Sequence, residues 1–377
     1  MFAETMSEAD VMELLCSPEV SAQVGSSIGD IIATRAMNGR RADIFTASAT
    51  GGEFVIRFAR DEVRLANLRK EERIQRGLRS FISHLHLRVP DTRVVTASDS
   101  SPVFAVHTMI PGRDWFNYEY SKLSGQARDR LVSDLVEFLL AIHSVPLRRA
   151  CEWMNIVYNV AYNGDRGNRV ANTGGANRGD DESNEFERAE LTATSWLAST
   201  FGKPDWFEPN WFEPSKANEI RRRLRPHLDS FTAVVFENTA ARFAALSVPP
   251  TDLVFGHGDL HGGNLVLVDD DLGPRVAGVL DFENASILDV NYDFGRLNLI
   301  DDDLQVRVIA AYQARASRAR AYPLDTARIE VYSRAFLLYL MGEQVGLDGR
   351  LSASALANYH KLTAMLREHV ERYEASR

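Results

Sequence analysis

Residues 253–295, LVFGHGDLHGGNLVLVDDDLGPRVAGVLDFENASILDVNYDFG, constrain this chain more than any other stretch. Three short apolar runs, 253–255, 265–268 and 276–280, are bounded by Gly, Asp and Pro. Runs of that length between turn residues read as short buried strands. Asp259, Asn264 and Asp281 then fall at strand ends or in the loops between strands. Polar side chains there are held by a rigid frame yet face a cleft. Asp alone favours turns, and either Asp taken singly is an ordinary turn residue. The joint pattern is harder to explain that way.

Asn264 and Asp281 offer hard oxygens, which suit a magnesium ion that keeps waters and binds substrate phosphates. Asp259 lies five residues before Asn264, so one loop can aim a carboxylate at a hydroxyl and an amide oxygen at a metal. His257 and His261, four apart, suggest a zinc pair. A metalloprotease pair sits on a helix with Glu beside the first His, and glycines at 258, 262 and 263 oppose a helix. Protein kinases use the same order of groups: Asp, four residues, Asn, then a metal-binding Asp on the next hairpin.

HGDLHGGN followed by GVLDFENASILDVNYDFGRL resembles the aminoglycoside phosphotransferase family, the small-molecule branch of the kinase-like fold. ILDVNYDF and VFAVHTMIPG look closest to its 2″-phosphotransferase branch. The resemblance covers most of the chain, strongly at 253–299, moderately at 37–113 and weakly at 150–215. It implies an α+β, bilobal protein-kinase-like fold with a β-rich N-lobe and a helical C-lobe. It assigns Asp259 as catalytic base and Asn264 with Asp281 as magnesium ligands. The expected lobes are 1–108 and 114–377, joined by a hinge at 109–113. The expected activity is transfer of the γ-phosphate of ATP or GTP to a hydroxyl of an aminoglycoside, giving antibiotic resistance. The alternatives are a kinase of another metabolite or antibiotic (a macrolide, choline, homoserine or another sugar) and a non-catalytic nucleotide-binding regulator.

The composition fits these expectations. A chain of 377 residues, 45% of them hydrophobic, can bury a sizeable core in two or three units. With 43 basic against 52 acidic residues the net charge is −9. That disfavours nucleic acid and anionic membrane as partners and is compatible with a cationic acceptor. Two cysteines, Cys16 and Cys151, give no disulfide framework. No apolar run approaches the length of a membrane span, and MFAETMSEAD lacks a signal-peptide pattern, so a cytoplasmic protein is expected.

The first half reads as a helix over 7–15, then strands over 30–37, 44–49 and 53–59 joined by turns at 38–43 and 50–52. By resemblance the first turn, with Gly39, covers the nucleotide phosphates. Arg57 stands where kinases place a phosphate-gripping Lys, although a strand Arg is also a common edge residue. An Arg grips phosphate oxygens as a two-pronged fork. A long helix is expected over 61–84. Glu71 and Glu72 both fall on its apolar stripe, and the family motif favours Glu71 as the partner of Arg57. Strands over 93–97 and 103–109 lead to Ile110-Pro111-Gly112. The Thr108 carbonyl and Ile110 amide are the expected contacts to the nucleotide base.

In the second half, 124–143 reads as a core helix, 162–185 as an aperiodic mobile insertion, and 215–246 as one helix with a solvated basic run at Arg221, Arg222, Arg223 and Arg225. Two WFEP repeats, 206–209 and 211–214, read as a local loop motif. Asp301, Asp302 and Asp303 open another helix, where Asp caps and complements the dipole. By resemblance Asp301 and Asp302, with Glu283 and Glu343, are candidates for an acidic acceptor rim. Helices over 326–345 and 352–373 close the chain.

Overall fold

Alternation of side chains builds the first half of the molecule. In the strand β3 (Gly52–Phe58), Phe54, Ile56 and Phe58 point to one face and are buried. They meet Phe45, Ala47 and Ala49 of β2 (Asp43–Ala49) and Phe104 and Val106 of β5 (Val103–Thr108). Each such phenylalanine contributes about 2 kcal/mol on leaving water. This face is closed by helices α1 (Glu8–Cys16) and α2 (Pro18–Val24), through Val11, Leu15 and Val20. Ser7 and Asp10 cap α1 reciprocally. With β1 (Ile31–Met37) and β4 (Thr92–Thr96), the strands form one antiparallel sheet in the order β1-β2-β3-β5-β4.

The other face of that sheet carries Arg57 and Ala105 and receives helix α3 (Glu62–Ile82). Asp61 caps α3 by accepting from the Arg64 N–H at 2.7 Å. Its buried residues, Leu65, Leu68, Glu71, Ile74, Gln75, Leu78 and Ile82, recur three or four apart. Gly77 lies against the Trp153 indole, so a side chain there would collide with helix α5 (Leu147–Met154).

The second half is mainly helical around a small three-stranded sheet. The sheet joins β6 (Arg113–Asp114), β8 (Leu265–Asp270) and β9 (Gly273–Val279). Gly112, with φ +149°, sits against the Leu267 carbonyl, where a Cβ has no room. Strand β7 (Leu253–Gly256) pairs instead with β10 (Ser286–Asp289). The core helix α4 (Gly125–His143) packs on both sheets through Leu131, Leu135, Phe138 and Leu139. A second core gathers α6 (Pro214–Leu224), α7 (Ser230–Ala244), α10 (Thr326–Gln344) and α11 (Ala353–Ala375). Between these cores run the one-turn α8 (Tyr292–Arg296) and α9 (Asp302–Ala316).

This computed structural model describes residues 7–24, 31–37, 43–96, 103–155, 212, 214–316, 322–346 and 349–375. Gly39, the 162–185 insertion and the first WFEP repeat lie outside them. Phe212 of the second repeat is buried against Phe236 and Phe243, with ring centroids 5.7 and 5.4 Å apart. The single helix expected over 215–246 is two. Pro226 removes a backbone donor, the chain turns, and Asp229 caps α7 from its side chain, accepting from the Thr232 N–H at 2.8 Å. Among the described residues no helix is long and apolar enough to cross a membrane.

Candidate active site

The loop between β7 and β8 is fixed from beneath by one carboxylate. Asp293, on α8, accepts the N–H groups of His257 and Gly258, both at 2.8 Å. Burial pushes its carboxyl up, but the His143 ring, His257 and its backbone donors outweigh burial and hold it below the usual range. The His257 ring donates from Nε2 to the Leu280 carbonyl at 2.9 Å and accepts the Asp259 N–H on Nδ1 at 3.1 Å. Both ring nitrogens are occupied, which removes His257 from any metal pair with His261. Gly258 has φ +75°, and a Cβ there would collide with the Asn284 carbonyl. Gly262 packs flat against the Trp115 side chain.

Asp259 emerges from this frame half-buried. Its Oδ1 accepts from Arg296 Nη1 in an ion pair. Its Oδ2 accepts from Asn284 Nδ2 at 3.3 Å. His261 Nε2 lies 3.6 Å from Oδ1. Burial holds the His261 ring below its ordinary value although Asp259 pulls the other way.

Asn264 donates its amide to the Asp259 carbonyl at 2.9 Å, which leaves the side-chain oxygen for another partner. The Leu280 N–H donates to the Asn264 carbonyl at 2.9 Å, and Leu265 pairs with Val279. Asn264 and Asp281 therefore stand at the same end of the β8–β9 hairpin. Asp281 has φ +59°, a left-handed conformation costly for a side chain with a Cβ. It is held there because Phe282 is buried beneath it and the Glu283 N–H donates to Asp281 Oδ1 at 3.4 Å. An amide oxygen beside a carboxylate suits a hard, partly hydrated cation that also takes phosphate oxygens. Among the described residues no group of three His, Cys, Asp or Glu side chains is placed to hold a metal by itself.

Across the cleft, Arg57 Nη1 donates to Glu71 Oε2 at 2.9 Å. Burial works against the Arg57 charge, but Glu71, Asp281 and Glu283 outweigh it and raise its pKa. Burial raises the Glu71 carboxyl to about 7, with Arg57 acting the other way. Glu71 Oε1 also accepts from Gln75 Nε2 at 2.9 Å and from the Phe282 N–H at 3.3 Å. One side chain on α3 thus touches both Arg57 and the turn bearing Asp281. Glu72, its neighbour, pairs at the surface with Arg76 at 2.7 Å.

Each candidate for an acidic rim has a partner within the fold. Glu283 Oε1 accepts from Arg64 Nη1 and Asn67 Nδ2, both at 2.6 Å, and Oε2 lies 3.6 Å from Arg57 Nη2. Lys70 donates to the Glu283 carbonyl at 2.9 Å. Glu283 thus ties α3 to the Asp281 turn. Asp301 Oδ1 caps α9, accepting from the N–H groups of Asp303 and Leu304 at 2.8 and 3.1 Å. Asp302 faces α11, 3.4 Å from His369 Nδ1 and 3.5 Å from Arg372 Nη1. Glu343 lies at the end of α10, 3.5 Å from Arg223, about 10 Å along the helix axis from Phe336, the residue beneath Arg296. Thr108 closes β5, its N–H donating to the Asp91 carbonyl at 3.0 Å. The Ile110 side chain covers Gly278 of β9, so the segment between the sheets is seated on the β8–β9 hairpin.

Reading the sequence misses Asp293 and Arg296 as participants and gives Glu283 a different part. Asp293 carries a signal, the second Asp of LDVNYDF, but its bond to the loop is a tertiary contact. The role of Glu283 as a tie to α3 has no local signature. Arg296 is one more Arg in sequence, and only the fold brings it to Asp259.

A five-stranded sheet and one long helix over a helical body, with a carboxylate loop and a hairpin acid at their junction, define a kinase-like phosphotransferase. The chain belongs to the phosphotransferase enzyme family, whose profile matches residues 33–325. No curated protein matches it in sequence. Among solved structures, it is similar to the GDP and kanamycin complex of APH(2")-IIia, with TM-score 0.55 and 16% identity, covering 94% of this chain and 97% of that one. A macrolide 2'-phosphotransferase type I gives TM-score 0.54 at 17% identity, over 95% and 97% of the two chains. A spectinomycin phosphotransferase bound to ADP and spectinomycin gives 0.52 at 12%, over 97% and 95%. Likeness at these identities establishes the fold.

Proposed function

We propose that this phosphotransferase moves the γ-phosphate of ATP or GTP to a hydroxyl of a small molecule. The observation that supports the reading is the pair of bonds from Asn264 Nδ2 to the Asp259 carbonyl and from the Leu280 N–H to the Asn264 carbonyl, which tie the segments bearing Asp259, Asn264 and Asp281 to one another. Asp259 orients the acceptor hydroxyl and takes its proton. The hydroxyl oxygen forms a bond to the γ-phosphorus as the bond to the β–γ bridging oxygen breaks, and the nucleoside diphosphate leaves. Asn264 and Asp281 would hold magnesium, which neutralises phosphate charge when bound. Arg57, aligned by Glu71, binds phosphate oxygens, and the backbone at Thr108 and Ile110 meets the nucleotide base. The similar structures carry aminoglycoside, macrolide and spectinomycin enzymes, so these compounds belong in the first acceptor panel.

The test is nucleotide consumption by the purified full chain, with ATP and GTP, with and without Mg2+, across the panel. Acceptor-stimulated, metal-dependent consumption is expected. Consumption indifferent to metal, to acceptor and to Asp259→Ala would remove the reading.

A further inference from the structure

Arg296 is the one cation paired to the Asp259 carboxylate among the described residues. Its guanidinium lies 3.9 Å over the Phe336 ring and 5.9 Å from that of Tyr292, which fixes it by stacking on one side. Nη1 serves Asp259, and the buried Nε has no hydrogen-bond partner among the described residues. A guanidinium carries five N–H donors in a planar fork that matches a carboxylate. Here that fork is planted on the oxygen that must receive the acceptor's proton.

The four acidic rim candidates each have a partner: Glu283 binds α3, Asp301 caps α9, Asp302 binds α11 and Glu343 meets Arg223. The fixed charge nearest the base is positive. An acceptor with an ammonium group beside its reacting hydroxyl would meet Arg296 directly.

We propose that Arg296 selects the acceptor, and that the acceptor carries a carboxylate, or an equivalent anion, next to the hydroxyl that is phosphorylated. The proposal rests on the phosphotransfer reading and deepens it. Before the acceptor arrives, both Asp259 oxygens are engaged, one by Arg296 and one by Asn284. The acceptor's anion draws the guanidinium fork to itself and releases Oδ1 to take the hydroxyl proton. The same contact restrains Asp259 from activating water when no acceptor is bound. Arg296 is thus a specificity residue that also gates the base.

The experiment compares acids with their own amides, which keeps the hydroxyl pattern constant: gluconate with gluconamide and glucuronate with glucuronamide. Glucosamine and kanamycin serve as cationic acceptors. Wild type, Arg296→Gln and Arg296→Glu are assayed for nucleotide consumption in Mg2+. Wild type is expected to prefer acid over amide, and both over amine. Arg296→Gln should raise KM for the acid about tenfold or more, since a charge-assisted pair is lost, with little change for the amide. Its acceptor-independent nucleotide hydrolysis should rise several-fold, an effect that a merely structural role would not produce. Arg296→Glu should shift preference toward the amines. An amine as best wild-type acceptor, or an acid preference untouched by Arg296→Gln, overturns the proposal while leaving the kinase reading intact. Should no compound be phosphorylated, the same pairs titrated calorimetrically into the full chain with Mg2+ and a non-hydrolysable nucleotide decide. Tighter acid binding supports the proposal; equal binding, amide preference or no heat overturns it. Loss of metal-dependent nucleotide turnover altogether is instead a failure of the phosphotransfer reading.

Discussion

Two ionic clusters flank the cleft, and they are built differently. On the α3 side, Glu71 meets Arg57, Gln75 and the Phe282 N–H, while Glu283 meets Arg64, Asn67 and Arg57. Each carboxylate there has several donors, and the cluster joins the sheet, the helix and the Asp281 turn. On the α8 side, Asp259 accepts from Arg296 on one oxygen and from Asn284 on the other, and an unpartnered buried Nε occurs in both clusters, at Arg57 and at Arg296. The first cluster joins three elements, and the second centres on a single ion pair at the end of a loop. A nucleotide is the same molecule at every turnover and suits a prebuilt site. An acceptor must be told apart from water and from other alcohols, and that suits a contact that exchanges partners.

The sharpest test of this contrast removes the proposed base. Asp259→Ala should lower kcat by about 10²–10⁴-fold, with nucleotide affinity little changed, as read by steady-state kinetics and nucleotide titration. Equal loss of nucleotide binding would mean that the two sides are not separable. Next, Glu71→Ala leaves Arg57 with only the more distant Glu283 and should cost about 3 kcal/mol of stability and raise nucleotide KM, checked by denaturant unfolding and kinetics. Glu283→Ala cuts contacts nearer to water. It should cost about 1 kcal/mol and raise nucleotide KM a few-fold, with acceptor KM unmoved.

The smallest effect is in pH. Glu71 titrates near 7 because burial raises it. As pH falls through that value Glu71 is neutralised and Arg57 loses its charged partner, so nucleotide KM should rise between pH 8 and 6. Stability moves oppositely. A carboxyl raised on folding contributes stability that is full below its unfolded value and lost as pH rises through about 7. Glu71→Gln should flatten both profiles, measured by kinetics and melting across the range.

Much of the frame was legible because local chemistry and fold agree. The runs 265–268 and 276–280 are apolar, bounded by turns and adjacent in sequence, and they pair as β8 and β9. Strand β10 escaped notice since SILD is short and half polar. Its partner, residues 253–256, is distant in sequence, and nothing local marks such a pairing. Glu71 and Glu72 look alike on paper, yet packing buries the first and leaves the second with Arg76. The partners of the acidic-rim candidates were hidden for the same reason. Charge in a sequence says nothing about its partner, and Glu283 and Asp302 found theirs on other helices. Arg296 lay inside a motif quoted for its aspartates, and only tertiary structure gave it a neighbour.

The short α8 turn has one more implication. Asp293 pins the loop backbone from one end of the turn while Arg296 reaches Asp259 from the other. An exchange at position 296 is therefore expected to alter one side chain without shifting the peptide that carries the proposed base. Redesign of substrate range, by selection or in the laboratory, can begin with a single codon and leave the chemical step in place.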